Sequence, residues 1–383
     1  MSTAGSLSPT ARATLALAEQ AIGLSDPNPR VGCVITSVDG QVLAVGHTQR
    51  AGGHHAEAAA LAAAREQGID VRGATVHVSL EPCCHHGRTP PCSQALIDAG
   101  VARVEVATLD PNPLVAGAGV QALRAAGLQV EVHEGEWGRA SRELNIGFFS
   151  RMLRGTPWVR MKIASSLDGT TALLNGQSQW ITGEAARADG HAWRKRASAV
   201  LTGIGTVQED NPRLDVRSVS TALQPLRVVV DSDLRIAPDA RILQPPGAAL
   251  IYTTASEAPG LHALQCLPGV EVCPLPTQQD GPSKGKTDLK ALLKDLATRG
   301  INELHVEAGE KLNGSWLREG LVDELLLYLA PRLLGPGRGL AAIAPQPLEH
   351  LQDGLSLNYL EVQTVGADLR VRALTTAGQA LLG

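Results

Sequence analysis

His55-Ala-Glu57, then Pro82-Cys83, then Cys92 place one imidazole, two thiols and one carboxylate in the first quarter of the chain. One imidazole and two thiolates make a three-ligand zinc set, which leaves the metal's fourth position for water and draws that water's pKa toward about 7. Glu57 need not be a ligand, so it is free to carry protons. The residue types are those of the zinc-dependent hydrolytic deaminases, but eight residues separate Cys83 from Cys92 where the short form of that pattern has two. A purely structural zinc would want a fourth ligand, for which Cys84, His54, His85 and His86 are candidates. Cys33, Cys266 and Cys273 lack such neighbours and are expected to pack in cores.

These groups need particular elements to hold them. Gly52-Gly53 supplies a bend before residues 56–64, a run of strong helix formers, so a helix starting near His55 carries ligand and carboxylate on its first turn. Residues 74–80 alternate like a strand and deliver Glu81-Pro82-Cys83 at its carboxyl end. Pro90-Pro91-Cys92 opens a helix through Ala99, and a helix amino terminus favours thiolate. Around this core the sequence predicts a helix from Ser8-Pro9 to near Gly23, and a hairpin of residues 31–36 and 41–46 turning at Asp39-Gly40. Strands 101–108 and 129–133 flank a helix over 119–126, and one amphipathic connecting helix covers 136–154.

A second unit alternates in the same way, with strands at 158–164, 200–203, 226–231, 248–253, 303–307 and 324–330 and helices at 182–196, 288–298 and 312–319. Within it, Val306-Glu307-Ala-Gly309-Glu-Lys-Leu-Asn-Gly314-Ser315 is a strand feeding through a glycine turn into a helix start, an arrangement that binds phosphate through free backbone amides. A Gly-x-Gly-x-x-Gly turn is not evident there, which disfavours a Rossmann dehydrogenase.

Glu81-Pro-Cys-Cys-His-His-Gly-Arg-Thr-Pro-Pro-Cys92, with Asp26-Pro-Asn-Pro-Arg-Val-Gly32 and Asp110-Pro-Asn-Pro-Leu-Val-Ala-Gly117, resembles the deaminase half of the bifunctional riboflavin-biosynthesis deaminase/reductases. Lys162-Ile-Ala-Ser-Ser-Leu-Asp168-Gly169, Ser178-Gln-Trp180-Ile-Thr182 and residues 203–214 resemble the reductase half. The resemblance implies an α/β chain in which a cytidine-deaminase-like three-layer domain with a mixed sheet (residues 1–147) precedes a dihydrofolate-reductase-like domain (residues 156–383). It implies zinc on His55, Cys83 and Cys92, leaving Cys84 out, and Glu57 as the catalytic proton carrier. It also implies NADPH contacts at Ala164, Trp180, Thr206, Asp210, Ser232, Gly309, Glu310, Lys311, Leu312, Asn313, Gly314 and Ser315, and substrate contacts at Ser178, Arg194, Leu214, Arg217 and Glu307.

The substrate so implied is a diaminopyrimidine carrying a ribosylamino phosphate, deaminated first and then reduced from ribosyl to ribityl. Pro82-Cys83 backbone and Asn28 are expected at the ring, and His85 and Arg88 at ribose or phosphate. Lys162, Asp168 and Asp210 are the proton-transfer candidates of the reduction. A nucleoside or tRNA-editing deaminase would share the zinc residues but leave the long cysteine loop and the second domain without a role.

At 383 residues the chain exceeds one ordinary core and fits two domains. Its hydrophobic content of 44% and charged content of 19% are those of a soluble globular protein. A net charge of −4 gives no support to sequence-independent nucleic-acid binding. No apolar stretch approaches a membrane span, and Met1-Ser-Thr-Ala-Gly-Ser-Leu-Ser lacks the basic start of a secretion signal. A cytoplasmic homo-oligomer acting on a small molecule is expected, without nucleic-acid or membrane partners, and thiolate ligands suit that reducing compartment.

Overall fold

The computed structural model describes residues 7–84, 90–133, 135–281, 283–340 and 349–382. The chain forms two compact units, Met1–Gly155 with Leu382–Gly383, and Thr156–Leu381.

The first unit runs α1 (Pro9–Glu19), β1 (Gly32–Thr36), β2 (Val42–His47), α2 (Ala56–Glu66), β3 (Thr75–Val78), α3 (Cys92–Asp98), β4 (Arg103–Val106), α4 (Ala118–Ala125), β5 (Gln129–Val132), α5 (Glu136–Leu144) and α6 (Ile146–Arg154). Its sheet has the order β2-β1-β3-β4-β5, antiparallel through the hairpin and parallel from β3 to β5. Side chains alternate across a strand, so Val76, Val78, Val104 and Val106 face α2, α3 and α4 in one core. The opposite face meets Ala11 of α1 and Trp137 of α5, which completes three layers. Close contact of α2 with the sheet depends on Gly46 of β2, where a Cβ would stand 2.4 Å from the Ala56 carbonyl oxygen.

Residues 136–154 are not the single helix expected. Asn145 breaks it, because its side chain bonds the loop after α1 instead of facing solvent: Arg30 N donates to Oδ1 at 2.7 Å and Nδ2 donates to the Arg30 carbonyl at 2.9 Å.

The second unit runs β6 (Trp158–Ser166), β7 (Thr170–Leu173), α7 (Glu184–Arg196), β8 (Ala199–Gly203), α8 (Ile204–Asp210), β9 (Leu226–Val230), β10 (Ala249–Thr253), α9 (Leu261–Gln265) and β11 (Val270–Pro274). It continues with α10 (Leu289–Thr298), β12 (Glu303–Val306), α11 (Glu310–Arg318), β13 (Glu324–Ala330), β14 (Gly337–Gly339), β15 (Asn358–Val365), β16 (Asp368–Leu374) and α12 (Thr376–Leu382). The sheet order is β11-β10-β9-β8-β12-β6-β13-β16-β15, parallel from β11 to β13 and antiparallel through β16 and β15. Met161, Leu201, Leu292, Leu296 and Trp316 build the core on one face. On the other, Arg160 of β6 is wholly buried between Glu303 (Nη1 to Oε2, 2.7 Å) and Glu324 (Nε to Oε2, 2.9 Å), beneath the Trp193 ring of α7. Cys266, expected in a core, is exposed, because it follows the short α9 on its solvent side, with Sγ 3.7 Å from His262 Nε2.

Candidate active sites

His55 is the N-cap of α2, in extended conformation, and Glu57 follows in the first turn, where its charge is favoured by the helix dipole. Cys83 lies just beyond β3, and Cys92 is the first residue of α3. These elements aim three donors at one point: His55 Nδ1 lies 3.6 Å from Cys83 Sγ and 3.5 Å from Cys92 Sγ. Nitrogen and sulfur ligands on a tetrahedral zinc would stand about 3.6 Å apart at ordinary bond lengths, so the set fits the metal without rearrangement. Among the described residues no fourth side chain joins the group. Cys84 points instead at the Leu114 carbonyl (3.8 Å), His54 is exposed, and His85, His86 and Arg88 lie outside the described residues.

The electrostatics are those of a site built for a cation. The hydrogen bond to Cys92, with help from His55, pushes the Cys83 thiol down to about 4, while the bond to Cys83, burial and the Glu57 charge push Cys92 well up. A bound dication favours the thiolate form of both. Glu57 is raised to about 7, first by burial and then by the Cys83 thiolate.

A cavity of about 430 Å³ opens onto these groups, lined also by Asn28, Asp110, Asn112 and, from α6, Phe148, Arg151 and Met152. Both Asp-Pro-Asn-Pro segments therefore wall one cavity, with Asn28 in its lining. Asp110 is buried and raised to about 7, chiefly by that burial. Glu81 fastens its wall. The carboxylate accepts from Asp110 N (3.1 Å) and Gly117 N (2.9 Å) on Oε2 and from Val120 N (3.0 Å) on Oε1, capping α4, which has no side-chain cap of its own. The fit is close, since a Cβ on Gly119 would lie 2.0 Å from the Pro82 carbonyl oxygen.

In the second unit a cavity of about 600 Å³ lies at the carboxyl ends of β6, β8 and β12. It gathers Ala164, Trp180, Thr206, Asp210, Gly309, Glu310 and Asn313 of the expected cofactor set, and all five expected substrate contacts, Ser178, Arg194, Leu214, Arg217 and Glu307. Lys311, Leu312, Gly314 and Ser315 continue along α11 outside its lining, and Ser232 is buried apart, bonded to Thr287.

Arg194 grips Glu307 with Nε on Oε1 and Nη2 on Oε2 (2.9 Å), while Lys162 Nζ stands 3.7 Å from the same carboxylate. Burial alone would raise Glu307, but the Arg194 and Lys162 charges hold it well below the usual carboxylate range. Burial lowers Lys162 and raises Asp210. Asp168 is not brought to the cavity: it accepts from Gly335 N (2.8 Å) and Leu334 N (3.1 Å), tying down the chain after β13. The lining also holds Arg187, His191, Arg213 and Arg338, which the sequence alone did not single out. The Arg-Leu-Asp sequence at 213–215 carried the one usable sign, since Asp215 pairs with both Arg213 and Arg217.

Known proteins carry the same pairing of sites. A family model of the cytidine and deoxycytidylate deaminase zinc-binding region matches residues 8–108, and one of the RibD C-terminal domain matches residues 157–371. The riboflavin biosynthesis protein RibD of Escherichia coli K12 is 42% identical over 368 residues, spanning 93% of this chain and 95% of that protein. Its counterpart in Aquifex aeolicus is 39% identical over 355 residues, spanning 93% and 94%. Among solved structures, Acinetobacter baumannii RibD has a TM-score of 0.84 at 40% identity, covering 96% of this chain and 98% of that one. A diaminohydroxyphosphoribosylaminopyrimidine deaminase/5-amino-6-(5-phosphoribosylamino)uracil reductase from Thermotoga maritima has a TM-score of 0.82 at 31% identity, covering 95% and 97%. With likeness of this extent running through both units, the chain belongs to the RibD family of riboflavin biosynthesis, bifunctional enzymes that join a zinc-dependent deaminase to an NADPH-dependent reductase.

Proposed function

We propose that the first unit deaminates a diaminopyrimidine bearing a ribosylamino phosphate and that the second reduces the ribosyl chain of that product to ribityl. The reading is supported by the pair of activities given for the Thermotoga maritima relative. The observation that carries it is the meeting of His55 Nδ1 with two thiols at 3.5 and 3.6 Å beside a buried glutamate that is not one of them.

His55, Cys83 and Cys92 hold zinc, which when bound supplies a Lewis acid and an activated water. Glu57, buried beside the three donors and not one of them, would take the water's proton and pass it to the ring nitrogen and the departing ammonia. Asn28, Asp110 and Asn112 offer the pyrimidine edge its donors and acceptors. In the second unit, bound NADPH supplies hydride. Ala164, Trp180, Thr206, Asp210, Ser232 and the turn of Gly309, Glu310, Lys311, Leu312, Asn313, Gly314 and Ser315 bind the cofactor, while Ser178, Arg194, Leu214, Arg217 and Glu307 bind the substrate. Glu307, kept ionised by Arg194 and Lys162, accepts from ribose hydroxyls, and Arg217 meets the phosphate.

Self-association and a cytoplasmic location belong to the same reading. The outer strand β15 and its neighbour expose Tyr359, Leu360, Val362 and Leu369, an apolar edge that a second copy would cover. No helix among the described residues is long and apolar enough to cross a membrane, and the cysteines are free thiols. Incubation with the diaminopyrimidine ribose phosphate should release ammonia without NADPH and consume NADPH only after that release. Absence of ammonia from zinc-loaded protein refutes the first assignment, and absence of NADPH consumption with the deaminated compound refutes the second.

A further inference from the structure

We propose that Asp215 positions Arg213 and Arg217 as a two-armed clamp for the phosphate of the reductase substrate, which makes Arg213 a substrate contact beside Arg217. The clamp rests on the substrate reading given above. Arg213 Nε donates to Asp215 Oδ2 at 2.8 Å and Arg217 Nη1 donates to Oδ1 at 2.7 Å, so one carboxylate aligns both guanidinium groups. Both arginines line the cavity of the second unit, whereas Asp215 is buried and not part of the lining. Their side chains are 39% and 52% exposed against 3% for the carboxylate, so the arms are open and their anchor is closed. A guanidinium carries five N–H donors in a fixed fork, and each arm spends one of them on Asp215. The others suit phosphate oxygens.

The anchor is itself held in place. Arg194 Nη1 donates to the Asp215 carbonyl at 3.2 Å, Gln224 accepts from Val216 N and donates to the Val216 carbonyl, each at 2.8 Å, and Arg217 N donates to His191 Nδ1 at 3.4 Å. Between Arg213 and Asp215, Leu214 has a φ of 50°, a left-handed conformation uncommon outside glycine, and its side chain is buried in a core with Val207, Val229 and Leu234. Such a backbone persists where its surroundings over-determine it. Neutralising a buried carboxylate takes one cation, and Asp215 has two. Burial raises Asp215, yet the two guanidinium groups outweigh it and keep the carboxylate ionised. With Lys162 and Arg194 at Glu307 in the same wall, four cations meet two carboxylates, a surplus of two positive charges. A phosphate monoester carries about two negative charges near neutrality. NADPH brings phosphate too, but its expected contacts at 309–315 lie on α11, whereas the clamp is tied through Arg194 to Glu307.

The test is NADPH oxidation by the full chain with the deaminated compound in phosphorylated and dephosphorylated form, beside calorimetric titration with inorganic phosphate in saturating NADP+. Arg213→Leu should raise KM for the phosphorylated compound about 10- to 100-fold, the scale of one hydrogen bond between charged groups, with the loss in KM rather than kcat and none in the KM for NADPH. Asp215→Asn should act in the same direction through both arms. Each variant should narrow the preference for the phosphorylated compound by the factor its KM loses, and should bind inorganic phosphate more weakly. Arg213→Leu leaves Asp215 its Arg217 partner, so loss of folding does not confound it. An unchanged KM in that variant, an equal loss on both compounds, or a loss confined to NADPH overturns the proposal. If neither compound is turned over, the assigned reduction fails and the titration still decides the clamp: phosphate bound as tightly by Arg213→Leu as by wild type overturns it, and weaker binding upholds it.

Discussion

Replacing Glu81 with glutamine exchanges one carboxylate oxygen for an amide nitrogen at nearly constant volume, in a place where three backbone N–H groups converge. If the remaining oxygen keeps Asp110 N and Gly117 N, the new NH2 meets the Val120 N–H, and two donors face each other in a buried space. A hydrogen bond to a charged acceptor contributes about 1.5–3 kcal/mol, and a buried donor left without a partner costs about 1–3 kcal/mol. Glu81→Gln should therefore remove roughly 3 kcal/mol or more from the first unit. It should also let the segment bearing Asp110 and Asn112 drift from the cavity. A misplacement of about 1 Å is worth on the order of 100-fold in rate, so deaminase kcat/KM should fall by about 10- to 100-fold with KM rising. Zinc content should match the wild type, and the reductase rate with the deaminated intermediate should be untouched. The assays are urea denaturation followed on the first unit, ammonia release over a substrate series, and metal analysis. A wild-type urea midpoint together with unchanged KM would show that Glu81 does not hold this wall.

Glu57→Gln should lower ammonia release by about 10²- to 10⁴-fold while zinc and reductase activity persist, and a loss below tenfold with zinc in place would remove Glu57 from proton transfer. Gly46→Ala should press a methyl into the Ala56 carbonyl and shift α2, costing about 1–3 kcal/mol and most deaminase activity; a fully active, equally stable variant would refute that close approach. Burial favours the neutral form of Glu324, but the Arg160 and Arg372 charges prevail and depress it to about 2 from an ordinary 4.5. Its stabilisation, about 3 kcal/mol, is present above pH 4.5 and lost as pH falls toward 2, so Glu324→Gln should flatten the acid limb of the reductase unit's urea midpoint against pH. An unaltered acid limb would refute this.

Much of the molecule was readable because pattern and chemistry agree. Residues 56–66 are helix formers ending in a polar turn, and the ligands sit where helix and strand ends must deliver them. The mixed five-stranded sheet follows from one hairpin turn and three alternating strands. What was missed is tertiary. Asn145 breaks a good amphipathic helix only because Arg30 lies across from it, 115 residues away in sequence. The hairpin of β15 and β16 is hidden because a bulge between Tyr359 and Glu361 puts Leu360 out of alternation, and most of β15's side chains are exposed. Asp168 looked available for proton transfer, yet its partners are backbone amides at 334 and 335 that no local pattern announces. Asp110 entered the sequence analysis only as the start of a motif segment, and its burial in a cavity wall depends on Glu81 and on the path of the chain through α4.

The guanidinium locked under Trp193 has a bearing on how this polypeptide assembles on the ribosome. Arg160 stands in register with His305 on one side and Glu324 on the other, while Val159 and Met161 point into the apolar core behind it. A slip of one residue would drive the cation into that core, so only one alignment of β6 is tolerable. Both compensating carboxylates are encoded more than 140 residues later. A nascent chain that stops short of residue 303 thus carries a buried cation with neither of its carboxylates, and one that stops short of 324 lacks the second, so the reductase unit must close late.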